Sequence, residues 1–269
     1  MRHWGRRGAV AWLLWPASLL FGLVVAARRL LFFLRILRSE HPGIPVIVVG
    51  NIVAGGSGKT PLTIWIAEFL RAKGFHPGIV SRGYGAKETR PRAATIASKA
   101  EEVGDEPILL SRRSGCPVWV GADRVATARA LRAANKDVDI LILDDGLQHY
   151  RMRRDLEIAV VDSRGTGNGF LLPAGPLREP AWRLKSVGAV VTNGFARPGA
   201  FAMQMEGEVL HRMTDAADRR PAKAFAGEKV HAVAGIGDPN RFFLHLGKLG
   251  LKAVPHPFPD HHPFQAADL

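Results

Sequence analysis

Three glycines, a lysine and a threonine crowd into NIVAGGSGKTPL, residues 51–62, in a spacing suited to holding a polyphosphate. Gly55, Gly56 and Gly58 let backbone N–H groups turn toward an anion, Lys59 can reach the outer phosphates, and the Thr60 hydroxyl is placed for magnesium. The nucleotide-binding segment is therefore read as Val53, Ala54, Gly55, Gly56, Ser57, Gly58, Lys59 and Thr60. A glycine usually opens such a loop, and Val53 stands there instead; the amide cradle depends mainly on the later glycines. A phosphate loop also needs a carboxylate on its metal side, and ILILDDGLQH, residues 140–149, sets Asp144 and Asp145 at the end of an apolar strand. GDEP at 104–107 offers Asp105 and Glu106 as a base for a hydroxyl proton, although a helix N-cap would explain Asp105 as well. In LREP, Arg178 could neutralise phosphoryl charge and Glu179 could hold a metal, with a surface ion pair as the ordinary alternative. PHPFPDHH brings His256, Asp260, His261 and His262 close in sequence, but adjacent histidines diverge on an extended chain and no cysteine helps a zinc site.

These groups must be positioned by an alternation of short apolar runs and amphipathic helices. PVIVVG, PGIVS, PVWV, VDILILDDG, EIAVVD and GAVVTN read as strands, with helices after Lys59 and over ADRVATARALRAAN. Apolar runs rich in β-branched residues and lacking alternation indicate a parallel sheet covered by helices on both faces. The predicted fold is α/β, a P-loop NTPase-like, mostly parallel sheet, and in such sheets the carboxyl ends of the strands share one crevice. Asp144, Lys59 and the SRGYG loop should meet there. RGTGNGFLLPAGPLREP, residues 164–180, is too rich in Gly and Pro for regular structure and is a candidate active-site loop. Beyond about Met203, one more strand, helix and strand suggest a small second α/β domain. The predicted division is 1–38, 39–202 and 203–269.

Residues Gly8 to Ala27, GAVAWLLWPASLLFGLVVAA, carry no charge and have about the length that crosses a bilayer core. Arg2, Arg6 and Arg7 precede this run and Arg28, Arg29, Arg35 and Arg38 follow, so the positive-inside rule gives no orientation. Trp4, Trp12 and Trp15 favour a membrane interface over a buried core helix, and Pro16 is expected to kink the run. A signal peptide is disfavoured because AARR offers no small-x-small cleavage site. A net charge of +13 over 269 residues suits an anionic partner: nucleic acid, an acidic membrane face or a phosphorylated substrate. The single Cys116 rules out an internal disulfide framework and a cysteine-rich zinc site.

The ordered set VGNIVAGGSGKTPLTIW, SRGYG, GDEP, LDDGLQH, LPAGPLREP, AGIGDPNRFF and FPDHHPF resembles the tetraacyldisaccharide 4'-kinases of lipid A biosynthesis. The resemblance spans nearly the whole chain. It implies a bacterial inner-membrane enzyme, its catalytic part on the cytoplasmic side, that moves the ATP γ-phosphate to the 4'-hydroxyl of a tetraacylated glucosamine disaccharide 1-phosphate. Residue by residue, it implies that Lys59 and Thr60 serve the phosphates and magnesium, with Asp144, Gln148 and Glu179 as further metal-side ligands. Arg178 would stabilise the transferring charge, and Asp105 would pair with His261 to take the sugar proton. Arg82, Tyr84, Arg124 and His149 match substrate positions. Neither a nucleic acid nor a protein partner is expected. The family pattern continues past QAADL through another strand and a T-E-K-D segment.

The main rival is a membrane-associated P-loop ATPase switch of the partitioning class, which places a lysine just before the paired glycines. Here that residue is Ala54, and GDEP and LREP have no clear use in a switch. A GTPase is disfavoured because NKDV at Asn135 to Val138 lacks the final acid of a guanine-reading tetrad.

Overall fold

The structure, a computed structural model, describes residues 2–86, 90–205, 207–212, 214–259, 262 and 264–268. It divides into two compact units, Met1–Met203 and Gln204–Leu269.

The first unit is built on an eight-stranded sheet. β1 (Val46–Gly50) lies at its centre and leads through the glycine loop into α3 (Lys59–Ala72). To one side run β5 (Ile140–Asp144), β2 (Pro77–Ser81), β4 (Val118–Val120) and β3 (Arg92–Ala94); to the other run β6 (Leu156–Asp162), β7 (Ala189–Asn193) and β8 (Phe201–Met203). All pairings are parallel except the β3–β4 edge, which the apolar-run reading did not anticipate. The strand order departs in opposite directions from β1, so the crevice at its carboxyl end lies at the switch point of the sheet.

Period-two alternation sends each central strand's side chains into two cores. From β1, Val46 and Val48 enter one core while Val49 enters the other; from β5, Leu141 and Leu143 part from Ile140 and Ile142 in the same way. Leu62, Ile66 and Leu70 of α3 cover one face together with Leu110 of α5 (Asp105–Ser114), which follows the short α4 (Ala100–Val103). Val125, Ala128 and Leu131 of α6 (Arg124–Ala134) cover the other, and Asp123 caps that helix by accepting the Val125 and Ala126 N–H groups at 3.0 and 3.2 Å.

At the N-terminus, α1 (Ala9–Leu13) and α2 (Trp15–Phe33) share the apolar run. Pro16 does not kink a continuous helix. It sits in the first turn of α2, where its missing N–H has no helical partner to lose, and the break falls at Leu14. α2 has a mean hydropathy of 1.6 over its apolar window and leaves Leu19, Leu20, Leu23 and Val24 exposed. The segment docks through polar contacts: Trp4 Nε1 donates to Pro173 O at 3.1 Å, Arg7 Nε to Asn168 O at 2.9 Å and Ser18 Oγ to Leu171 O at 2.8 Å.

In the second unit, β9 (Val209–Arg212) and β10 (Asp215–Pro221) form an antiparallel pair. β11 (Lys229–Ala234) and β12 (Lys252–Pro257) pair in parallel across α7 (Pro239–Lys248), whose start Asp238 caps by accepting the Arg241 N–H.

Candidate active site

The glycine loop is held open by side chains that converge on it from three strand ends. Asn51 Nδ2 donates to Gly55 O at 3.1 Å and to Ser57 Oγ at 3.0 Å, and Asn193 Nδ2, at the end of β7, donates to Ser57 O at 3.0 Å. Arg164, fastened to buried Asp162 at the end of β6, donates to Gly56 O. Gly58 has φ +92°, and a Cβ there would lie 2.2 Å from Asn193 Nδ2, so both conformation and space demand glycine. α3 begins one residue later, aiming its N-terminal N–H groups at the crevice.

Val53 has a structural answer. Its side chain belongs to the core, and its backbone pairs antiparallel with Leu177. Ala54 N–H to Pro176 O at 2.8 Å and Arg178 N–H to Ile52 O at 2.7 Å complete the seam. The loop entrance is thus a short strand against the 170–180 segment, and a β-branched residue suits it.

At the end of β5 the two aspartates diverge. Asp144 points inward, 1% exposed, and accepts the Thr63 hydroxyl at 3.0 Å. Asp145 has φ +49°, a left-handed conformation in which aspartate is tolerated, and this turns its carboxylate to Lys59 Nζ at 3.7 Å and Arg178 Nη1 at 3.0 Å. Burial opposes the charge of Asp145, but Lys59 and Arg178 outweigh it and hold its pKa below the ordinary value. Asp144 behaves oppositely: burial, then the neighbouring Glu106 carboxylate, pushes it up to about 7 against the pull of Lys59.

Glu179 is also buried, and its oxygens are occupied. Gln148 Nε2 donates to Oε1 at 2.8 Å and to Asn51 O at 3.0 Å, while Tyr150 Oη and Arg183 Nε reach Oε2 at 2.5 and 3.2 Å. Gln148 and Glu179 therefore tie the strand ends together directly.

Asp105 is the first residue of α5, not its cap. Gly104 takes the cap position with φ +87°, and Asp105 Oδ1 accepts the Glu106 N–H at 2.9 Å. Glu106 Oε1 lies 3.4 Å from Thr60 Oγ1. The SRGYG and GDEP loops pack backbone to backbone: a Cβ on Gly104 would lie 2.7 Å from Tyr84 O. This brings exposed Tyr84 beside Asp105, with exposed Arg82 on the same loop. Arg124 is 5% exposed, and burial lowers its pKa against the opposing pull of Asp145 and Asp144. His149 is pushed down to about 4 by burial and by Arg124 and Arg154, so its ring is neutral near pH 7, and Nε2 has no hydrogen-bond partner.

Lys59, Thr60, Asp144, Gln148, Arg178 and Glu179 thus gather at the carboxyl edge of the sheet, with Asp105 joined through Glu106. His261 lies outside the described residues, as does Asp260, and no cluster of three His, Cys, Asp or Glu fit for a metal occurs among the described residues. Sequence reasoning missed Asn193, Asp162 and Arg164 as braces of the loop, and Glu106 as the acid facing Thr60. For Asp162 and Asn193 the strand-end position was the available signal.

The oxygen donors fit a hard divalent cation. Thr60 Oγ1, Glu106 and Asp144 supply only oxygens, and a carboxylate raised to about 7 by burial and then by a neighbouring acid is a group whose charge a cation would stabilise.

The family model described as tetraacyldisaccharide-1-P 4'-kinase matches residues 10–269. The chain belongs to that family. Among relatives of the same name, the protein of Aromatoleum aromaticum is 53% identical, over 99% of this chain and 82% of the relative, and that of an Azoarcus species 52%, over 99% and 80%. The solved LpxK from Aquifex aeolicus, in complex with ATP, superposes with a TM-score of 0.79 at 30% identity, over 95% of this chain and 84% of that one. The kinase family accounts for the P-loop and the acid pair, and the partitioning-class alternative is not favoured.

Proposed function

We propose that this chain transfers the γ-phosphate of ATP to the 4'-hydroxyl of a tetraacylated glucosamine disaccharide 1-phosphate, a step of lipid A biosynthesis. The observation that carries the reading is the convergence of Lys59, Arg178 and the Asp144–Asp145 pair on a braced glycine loop, within a chain that matches this kinase family over residues 10–269.

Phosphoryl transfer is mainly positioning and charge stabilisation. The loop amides and Lys59 would hold the β- and γ-phosphates. Arg178, now on Asp145, would follow charge onto the transferring group while Asp145 keeps both cations aimed at it. Magnesium would be held by Thr60 and Asp144, with Gln148 and Glu179 as the further positions implied by the family pattern; when bound it supplies charge neutralisation on the phosphates. Asp105, at the mouth of the crevice, would accept the sugar hydroxyl proton, and His261 is proposed as its partner on the family resemblance. Arg82, Tyr84, Arg124 and His149 would contact the acceptor, and the neutral ring of His149 suits hydrogen bonding to a sugar. The membrane role of α2 is supported by its nineteen apolar-rich residues, while the placement of the catalytic part on the cytoplasmic face of the inner membrane rests on the family resemblance alone. No protein or nucleic-acid partner is invoked.

The test is direct. Purified full chain with ATP, magnesium and the disaccharide 1-phosphate should yield a 4'-phosphorylated product by phosphorus NMR. ATP hydrolysis indifferent to the lipid would sink the assignment.

A further inference from the structure

Beside α2 lies a cavity of about 500 Å³ with two unlike walls. Val25, Leu30 and Phe33 of the helix make it apolar, while Arg29, Arg153 and Arg154 make it cationic. Tyr150 stands at the junction, with the guanidinium carbons of Arg28, Arg29 and Arg154 at 5.8, 5.9 and 5.2 Å from its ring centre.

The cationic wall lacks anions. Among the described residues, Arg29, Arg154 and Arg183 share only Glu157 and Glu179 at ion-pair distance, and Arg28 and Arg153 add to the surplus. Two buried nitrogens, Arg29 Nη1 and Arg154 Nε, have no hydrogen-bond partner, and the nearest carboxylate oxygen to the first is 3.7 Å away. Those two nitrogens are sealed from the cavity, so it is the surplus of guanidinium charge along the wall that calls for an anion with several oxygens.

We propose that this cavity seats one anionic glycerophospholipid of the surrounding bilayer, its phosphate on Arg29, Arg153 and Arg154 and the start of an acyl chain along Val25 and Phe33. The proposal rests on the membrane reading of α2. Basic pockets beside a membrane helix hold anionic headgroups, and here the pocket lies near the arginine-bearing end of that helix. Two features favour a phospholipid over the enzyme's own lipid substrate. None of the residues lining the cavity belongs to the glycine loop or to the Asp144–Asp145 pair, and Arg178 turns to Asp145 and Lys59 rather than to the cavity. The volume suits one headgroup with part of a chain, not a disaccharide with four chains.

Native mass spectrometry of the full chain in detergent, titrated with phosphatidylglycerol or with phosphatidylcholine of the same chains, tests this. One phosphatidylglycerol should be retained in preference to phosphatidylcholine, with binding about fivefold weaker in Arg153→Gln and again in Arg29→Gln. Val25→Trp, which fills the apolar end, should remove the adduct. Arg153 is exposed, so its variant keeps the test valid if Val25→Trp fails to fold. Equal retention of both lipids, an unchanged adduct in Arg153→Gln and Arg29→Gln, or one-for-one displacement by the disaccharide 1-phosphate would overturn the proposal. Kinase activity is read separately: selective lipid binding without 4'-phosphorylation defeats the kinase reading alone, and phosphorylation without selective binding defeats this one alone.

Discussion

Val53 pairs backbone to backbone with Leu177, and this seam joins the phosphate loop to the segment that carries Arg178. Val53→Gly, which restores the residue common at the head of such loops, removes a buried side chain and frees the backbone. The variant should lose about 2–3 kcal/mol of stability and bind ATP more weakly. Urea unfolding and nucleotide titration check this; an unchanged midpoint would show that the seam contributes nothing.

Lys59 is already turned toward the crevice by Asp145, so its loss removes a charge positioned for the transferring phosphate. Lys59→Ala should lower kcat by roughly 10³-fold or more while the protein melts near the parent temperature. Retention of most turnover would remove Lys59 from the reaction.

The sequence made the central architecture legible, for reasons visible in β1 and β5. A strand buried on both faces is apolar along the run that crosses the core, so VIVV and ILIL, ahead of the terminal Gly50 and Asp144, announce themselves. The β3 edge, RAA, carries no such signal because only Ala94 is buried. In the site, the glycines and the acid pair could be placed at one sheet edge from strand-end position alone. Which aspartate faces Lys59 could not, since that depends on the left-handed backbone of Asp145. Nor could the binding of Glu179 by Gln148, Tyr150 and Arg183, groups spread over more than thirty positions and joined only by folding.

Burial, then the Glu179 carboxylate, pushes the Tyr150 phenol up to about 12 from 10.0. Because the folded value is raised, the protonated phenol contributes stability that is fully present below pH 10 and is lost as pH rises through about 12. In a Tyr84→Phe background Tyr150 is the one tyrosine left, and its ultraviolet titration should show phenolate only near pH 12. Ionisation near pH 10 would mean that Tyr150 does not donate to Glu179.

Removing residues 1–38 should do two things at once. Loss of α2 should move the protein from the membrane fraction to the soluble fraction. Loss of the Trp4, Arg7 and Ser18 contacts should loosen residues 168–173, and through the seam at Pro176 and Leu177 raise the KM for ATP. Ser18→Ala separates the effects, since it removes the bond to Leu171 O and leaves the apolar helix. It should shift KM modestly with fractionation unchanged; membrane release by Ser18→Ala would contradict that division of labour.

Asp105 bears on whether the site is built for a sugar hydroxyl or for water. A secondary hydroxyl is a very weak acid, so a carboxylate within hydrogen-bond reach lowers the barrier as the oxygen attacks. Asp105 stands exposed at the start of α5, and its neighbour Glu106 already faces Thr60, which places the base beside the phosphate end of the crevice. Asp105→Ala should lower kcat by roughly 10²–10⁴-fold, less than the loss of Lys59, with ATP affinity nearly unchanged. If His261 works through Asp105, His261→Ala should also lower kcat, and the double variant should be little worse than the poorer single one, because residues acting as one unit are non-additive. Multiplicative losses would dissolve the pair and leave Asp105 acting alone. Near-normal phosphorylation in both single variants would mean that the base lies elsewhere, and Glu106 would be the next carboxylate to remove.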